Sequence, residues 1–116
     1  MSRQKRKPWH YVIVWEFKVR PGKALEFETT YGVHGIWARF FRSDKGYVRT
    51  ELIRAEDDGN RYVTFDFWLS RERYEKFRME NAKRYRAIDT RCKVLTLKER
   101  KLGAFVRLRG RSPAHL

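Results

Sequence analysis

The stretch RYVTFDFWLSRERYEKF, Arg61 to Phe77, passes from a strand pattern to a helix pattern across a single serine. From Tyr62 to Leu69 the side chains alternate. Val63, Phe65, Phe67 and Leu69 form an apolar face, and Tyr62, Thr64, Asp66 and Trp68 form a mixed one. Ser70 suits a helix N-cap and Glu72 falls in the first turn. Tyr74, Phe77, Tyr85, Ile88 and Cys92 then recur near helical spacing. The apolar face needs a covering layer. The mixed face sets one carboxylate among two large aromatics, which suits an interface or a pocket wall better than a solvated surface.

Upstream, HYVIVWEFKV (His10 to Val19) is a strand that is apolar on both faces at its start, as expected of a central strand. Pro21 and Gly22 end it. A helix is predicted from Lys23 to Tyr31, with Gly32 as its C-cap, and a short one from Ile36 to Arg42. His34 stands between two glycines in the hinge. GYVRTELIRA, from Gly46, carries more charge and suits an edge strand. Asp57 to Asn60 supply turn residues for a hairpin into the Tyr62 strand. The last strand is predicted from about Val94 to Val106, with a bulge where the alternation slips at Leu102 and Gly103.

The order strand, helix, strand, strand, helix, strand reads as two right-handed crossovers joined by a hairpin. This is an α+β, ferredoxin-like β-α-β-β-α-β domain with a four-stranded antiparallel sheet whose first and third strands are central. Both helices then cover one face. The expectation is that Val63, Phe65 and Phe67 lie under the helices, while Val12, Val14, Tyr62, Asp66 and Trp68 meet a second copy in a homodimer packed sheet to sheet. A buried Asp66 would need Arg49, Arg100 or a hydroxyl as partner. Glu51 and Glu99 are placed with it at the interface or behind a site.

The chain has 116 residues, one cysteine and a formal charge of +14. That length suits one domain, expected over 10–106 between a basic flexible arm (1–9) and a basic flexible tail (107–116). Half of the charge excess lies in those ends, at Arg3, Lys5, Arg6, Lys7, Arg107, Arg109 and Arg111. Non-specific attraction to polyanions is therefore expected rather than specific nucleic-acid recognition. The basic start lacks the apolar stretch of a signal peptide and no run is long enough to span a bilayer, so a cytoplasmic location without membrane association is expected. A single Cys92 excludes an internal disulfide. His10, His34 and His115 are scattered without ligand spacing, and neither a metal motif nor a phosphate loop is present.

VRPG (Val19 to Gly22), YGVHGIWARFFR (Tyr31 to Arg42), GYVRTEL (Gly46 to Leu52), the Arg61 to Phe77 stretch, and LTLKERKLGAF ending at Phe105 together resemble the antibiotic biosynthesis monooxygenase family over about Tyr11 to Phe105. The resemblance implies a dimeric α/β barrel with a pocket between each sheet and its own helices. It also implies an activity such as cofactor-independent oxygenation of a small aromatic or polycyclic phenol or quinol. The haem-degrading branch of the family uses an asparagine on the first strand and a histidine on the second long helix. Neither is present here.

Such an oxygenase, which uses no cofactor, needs a base, polar groups and a dry aromatic cavity. His34 is the candidate base, although a plainer reading has it bracing the helix break. Trp37, Phe40 and Phe41 are candidate walls, Trp15, Phe17 and Phe65 a candidate floor, and Tyr85 a hydroxyl reaching in. Two readings from other classes stay open. One is a non-catalytic ligand-binding or structural dimer. The other is an RNA-binding module of the same strand and helix order, against which Asp66 and the missing flanking glycines speak.

Overall fold

The structure is a computed structural model and describes residues 8–109. The described chain forms β1 (Tyr11–Val19), α1 (Ala24–Tyr31), α2 (Ile36–Phe41), β2 (Tyr47–Arg54), β3 (Arg61–Trp68), α3 (Arg71–Glu80), α4 (Ala82–Cys92), a 3-10 turn (Lys93–Leu95) and β4 (Thr96–Val106). The strands form one open antiparallel sheet in the order β2-β3-β1-β4. The fold is therefore α+β and ferredoxin-like, with the greasiest strands, β1 and β3, in the middle.

Local chemistry explains the boundaries. The Asp58 carboxylate accepts from the Asn60 amide at 2.9 Å and closes the β2–β3 hairpin, with Lys18 at 2.6 Å on its other oxygen. Ser70 caps α3 by accepting from the Arg73 amide. The long helix expected to reach Cys92 breaks at Asn81, whose φ of −120° leaves the helical region while its side-chain amide donates to the Phe77 carbonyl. Gly32 is the C-cap of α1 as expected, with φ −78° and its amide donating to the Glu28 carbonyl. Space is what requires glycine here. A Cβ at Gly35 would run into the Thr30 carbonyl oxygen, and one at Gly32 would stand 2.6 Å from that of Glu28. The bulge expected near Leu102 is present: Val14 pairs with Gly103 and Trp15 with Lys101, and Gly103 has φ +155°.

The strand register decides which side chains face the helices. Tyr11 pairs with Trp68, Ile13 with Asp66, Trp15 with Thr64 and Phe17 with Tyr62. Directly opposed residues share a face. The Tyr11/Ile13/Trp15/Phe17/Val19 side of β1 packs beneath the helices, so Tyr62, Thr64, Asp66 and Trp68 do too. This reverses the expectation for β3. Trp68 is fully enclosed, against Phe41 (5.5 Å between ring centroids), Tyr47 (5.6 Å), Tyr74 (5.3 Å) and Phe77 (5.3 Å). Tyr62 is buried as well and donates its hydroxyl to Glu28. Neither is an open-face residue.

Val63, Phe65 and Phe67 lie instead on the open face with Val12 and Val14, joined by Trp9 and Val48. Phe65 therefore does not floor a helix-side pocket. Arg49 stacks 4.2 Å from the Phe67 ring centroid and donates to Glu51 at 2.8 Å, on that same face. At one end of the patch Glu16 bridges Arg61 (3.2 Å) and Arg100 (3.1 Å).

Most of the expected basic arm and tail, residues 1–7 and 110–116, lie outside the described residues. Packing extends slightly past the expected domain limits. Trp9 lies edge-on against Phe67 at 4.9 Å, and the Arg107 amide donates to the His10 carbonyl.

Candidate functional site

Between the sheet and the helices the aromatic core leaves a gap. Its floor is a row of small or polar side chains on adjacent strands, Thr50 of β2 with Thr64 and Asp66 of β3, extended on β1 by Trp15 and Phe17 and on β4 by Glu99. Tyr31 of α1, Trp37 and Phe41 of α2, and Tyr85 and Asp89 of α4 complete the lining. The cleft holds about 460 Å³ of free space including its mouth, and about 50 Å³ of it is open to the centres of water-sized molecules. The enclosed part is small, so a ligand larger than a few water molecules would occupy the mouth as well.

Asp66 is the polar centre of this site. The residue has intermediate exposure because it lines the cavity, while its carboxyl group is shut away from bulk water. Burial raises its affinity for a proton, and the pKa rises from 3.8 to about 6 even though a hydrogen bond from Thr50 pulls it down. Thr50 Oγ1 lies 2.7 Å from Asp66 Oδ1 and 2.6 Å from the Tyr47 hydroxyl. A threonine hydroxyl has one proton to give. With that proton on Asp66, Tyr47 donates to Thr50, and the three form a chain from β2 into the cavity. Burial pushes the Tyr47 hydroxyl up to about 12 and those of Tyr31 and Tyr85 higher, so all three are neutral donors near pH 7.

The helix wall holds an under-used donor. Trp37 is 7% exposed, and its Nε1 is buried without a hydrogen bond of normal geometry. The Tyr31 hydroxyl and the Cys92 thiol lie close enough to feel it, yet neither accepts from it in good geometry. Behind the cavity Arg78 donates to the Tyr74 hydroxyl at 2.9 Å and stacks 3.6 Å from the Tyr85 ring centroid, fixing that ring from one side.

Trp15, Phe17, Trp37, Phe41 and Tyr85 thus come together at one cavity, while Phe65 faces away. His34 does not join them. It is exposed and lines a separate open groove, with about 960 Å³ of free space including its mouth, together with Glu28, Leu52, Ile53, Arg54 and Tyr62. Glu99 is in the cavity rather than at the open face, because it pairs with Phe17, and Glu51 remains on the open face beside Arg49. Asp66, expected at the open face, finds its hydroxyl partner inside. Sequence reasoning passed over Tyr31, Thr50, Thr64 and Asp89. The usable signal was the pair of threonines in otherwise bulky strands, since small side chains opposite large rings leave space. Among the described residues no three His, Cys, Asp or Glu side chains converge as metal ligands, and no helix is long and apolar enough to cross a membrane.

An aromatic-walled cavity between sheet and helices, with an ionisable group at its floor, can be set beside known proteins. Residues 10–87 match the model of the antibiotic biosynthesis monooxygenase family. The chain belongs to that family. Among solved structures this family member is similar to SnoaB of Streptomyces nogalater, a cofactor-independent oxygenase. The two are 25% identical, with a TM-score of 0.65, over 91% of this chain and 99% of SnoaB; a mutant of SnoaB gives 0.66. It is also similar to a dimeric ferredoxin-like protein from an uncultured marine organism, at 13% identity and a TM-score of 0.62, over 90% of this chain and 93% of that protein. At that identity the likeness speaks for the fold alone. No curated protein matches.

Proposed function

We propose that the protein is a cofactor-independent monooxygenase acting on a compact phenol or quinol bound between the sheet and its helices. The observation that carries this reading is Asp66: a carboxylate whose pKa is raised to about 6, at the floor of an aromatic cavity. Near pH 7 such a group is largely ionised yet poorly solvated, which is the condition for a general base. It takes the phenolic proton and leaves an electron-rich ring carbon that reacts with dioxygen. One oxygen atom becomes the new carbonyl and the other leaves as water, so phenol plus dioxygen gives quinone plus water. Dioxygen is the sole oxidant. Thr50 orients Asp66, Tyr47 supports Thr50, and the surrounding rings exclude bulk water. His34 has no part in this step, since it stands outside the cavity.

The second part of the reading is a homodimer through the open sheet face. Val12, Val14, Phe65, Phe67 and the half-exposed Phe105 lie on it, and charged residues flank them. A neighbour of the same fold is described as dimeric, in keeping with a homodimer here.

The test is an oxygen-electrode assay with a panel of monocyclic phenols and quinols, with products followed by mass spectrometry under labelled dioxygen. Turnover that places one labelled atom in the product and is lost in Asp66→Asn is the expected result. Absence of oxygen uptake across the panel overturns the assignment.

A further inference from the structure

The charged residues that line the cavity are all acidic. Asp66, Asp89 and Glu99 stand around its wall, and among the described residues no lysine, arginine or histidine lines it. In a chain with 28 basic and 14 acidic residues, composition would favour the opposite. Of the nearby positive charges, Lys93 pairs from outside with Asp89 at 3.6 Å and partly offsets it, whereas Arg78 stacks on Tyr85 and Lys101, beside Trp15 in the sheet, is exposed. Glu99 meets the Thr96 hydroxyl at 3.4 Å. Burial and then the charge of Asp89 raise its proton affinity, so these two carboxylates act on the same space. They do not form a chelating cluster.

We infer that the cavity selects compact aromatic molecules that carry a protonated amine. Rings and carboxylates are the combination that holds an organic ammonium ion. The negative faces of Trp15, Phe17, Tyr31, Trp37 and Tyr85 attract it without the desolvation cost of a further charge, and the carboxylates neutralise it. An acid-bearing aromatic of the same size meets repulsion from the cavity carboxylates, chiefly Asp66 and Glu99. The inference rests on the same cavity as the oxygenase reading and names the class of molecule that enters it.

The experiment is isothermal titration of the full chain, under anaerobic conditions at pH 7.5, with three phenols of nearly equal size: tyramine, tyrosol and para-hydroxyphenylacetate. Tyramine is expected to bind at least about tenfold more tightly than tyrosol, and tyrosol more tightly than the acid. In Glu99→Gln and in Asp89→Asn, with folding checked by circular dichroism, the preference for tyramine over tyrosol falls about threefold or more. Equal affinities, a preference for the acid, no binding by any of the three, or an unchanged preference in both variants overturns the inference. The ranking is read without turnover. It therefore survives if the bound amine is never oxidised, a result that removes only the oxygenase reading.

Discussion

Replacing Asp66 by asparagine separates the cost of this carboxylate from its use. The ordinary pKa of 3.8 rises to about 6 in the folded chain. At about 1.4 kcal/mol per pH unit, folding disfavours the ionised form by about 3 kcal/mol. The sign follows from the raised value. Well below pH 3.8 the carboxyl is protonated in both states and costs nothing. As pH rises towards 6 the unfolded chain releases the proton first and stability falls, and above pH 6 the penalty is constant. The Asp66→Asn variant has no such penalty and keeps an oxygen for Thr50. It should therefore nearly match the parent in urea melts at about pH 3 and exceed it by about 2–3 kcal/mol at pH 7.5. At constant pH 7.5 its melting temperature should rise by at least about 5 °C. Its oxygen uptake should be lost, whereas kcat/KM of the parent rises with pH through about 6 to a plateau. A stability difference that is the same at both pH values would refute the desolvated carboxylate, and with it the base.

Three further outcomes follow from named contacts. Thr50→Val removes the donor that holds the Asp66 pKa down, so the rising limb of the pH–rate profile should move up by about one unit, measured as kcat/KM against pH. Phe65→Glu places a charge on the open face and should convert a dimer to a monomer by light-scattering mass while leaving the circular dichroism spectrum native; a persistent dimer locates the interface elsewhere. Gly35→Ala drives a methyl group against the Thr30 carbonyl and should cost at least about 2 kcal/mol in urea denaturation, with a loss under about 0.5 kcal/mol showing that the α1–α2 link can yield.

The arrangement of the fold was legible because local signals agreed with each other. Asp58 and Asn60 marked the hairpin, Ser70 the start of α3, Gly103 the bulge, and the apolar runs of β1 and β3 the centre of the sheet. Which face of β3 points inwards was not legible. Both faces carry large aromatics, and a one-residue change of register would exchange them. The choice is made by long-range pairing, Tyr11 with Trp68 and Phe17 with Tyr62, and alternation within β3 carries no trace of it. Taking the more uniformly apolar face as the helix-covered one fails here because the isolated domain leaves that face open. His34 misled for a related reason: flanking glycines signalled a tight passage of backbone, and the steric demand at Gly32 and Gly35 accounts for them without any site.

The inverted face is also what makes a cavity possible. A helix layer resting on Val63, Phe65 and Phe67 would meet a surface of uniform bulk and close down on it. Resting on Tyr62, Thr64, Asp66 and Trp68, it meets two large rings at the ends of the strand and two small polar residues between them, and the rings hold the layers apart over Thr64 and Asp66. Thr50, opposite Asp66 on β2, continues the low ground, and Trp37, Phe41 and Tyr85 from the helices span it without filling it. The same spacing keeps bulk water from Asp66 and leaves its carboxylate held by the Thr50 hydroxyl. Cavity and perturbed acid therefore have one structural cause, the polar gap between Tyr62 and Trp68.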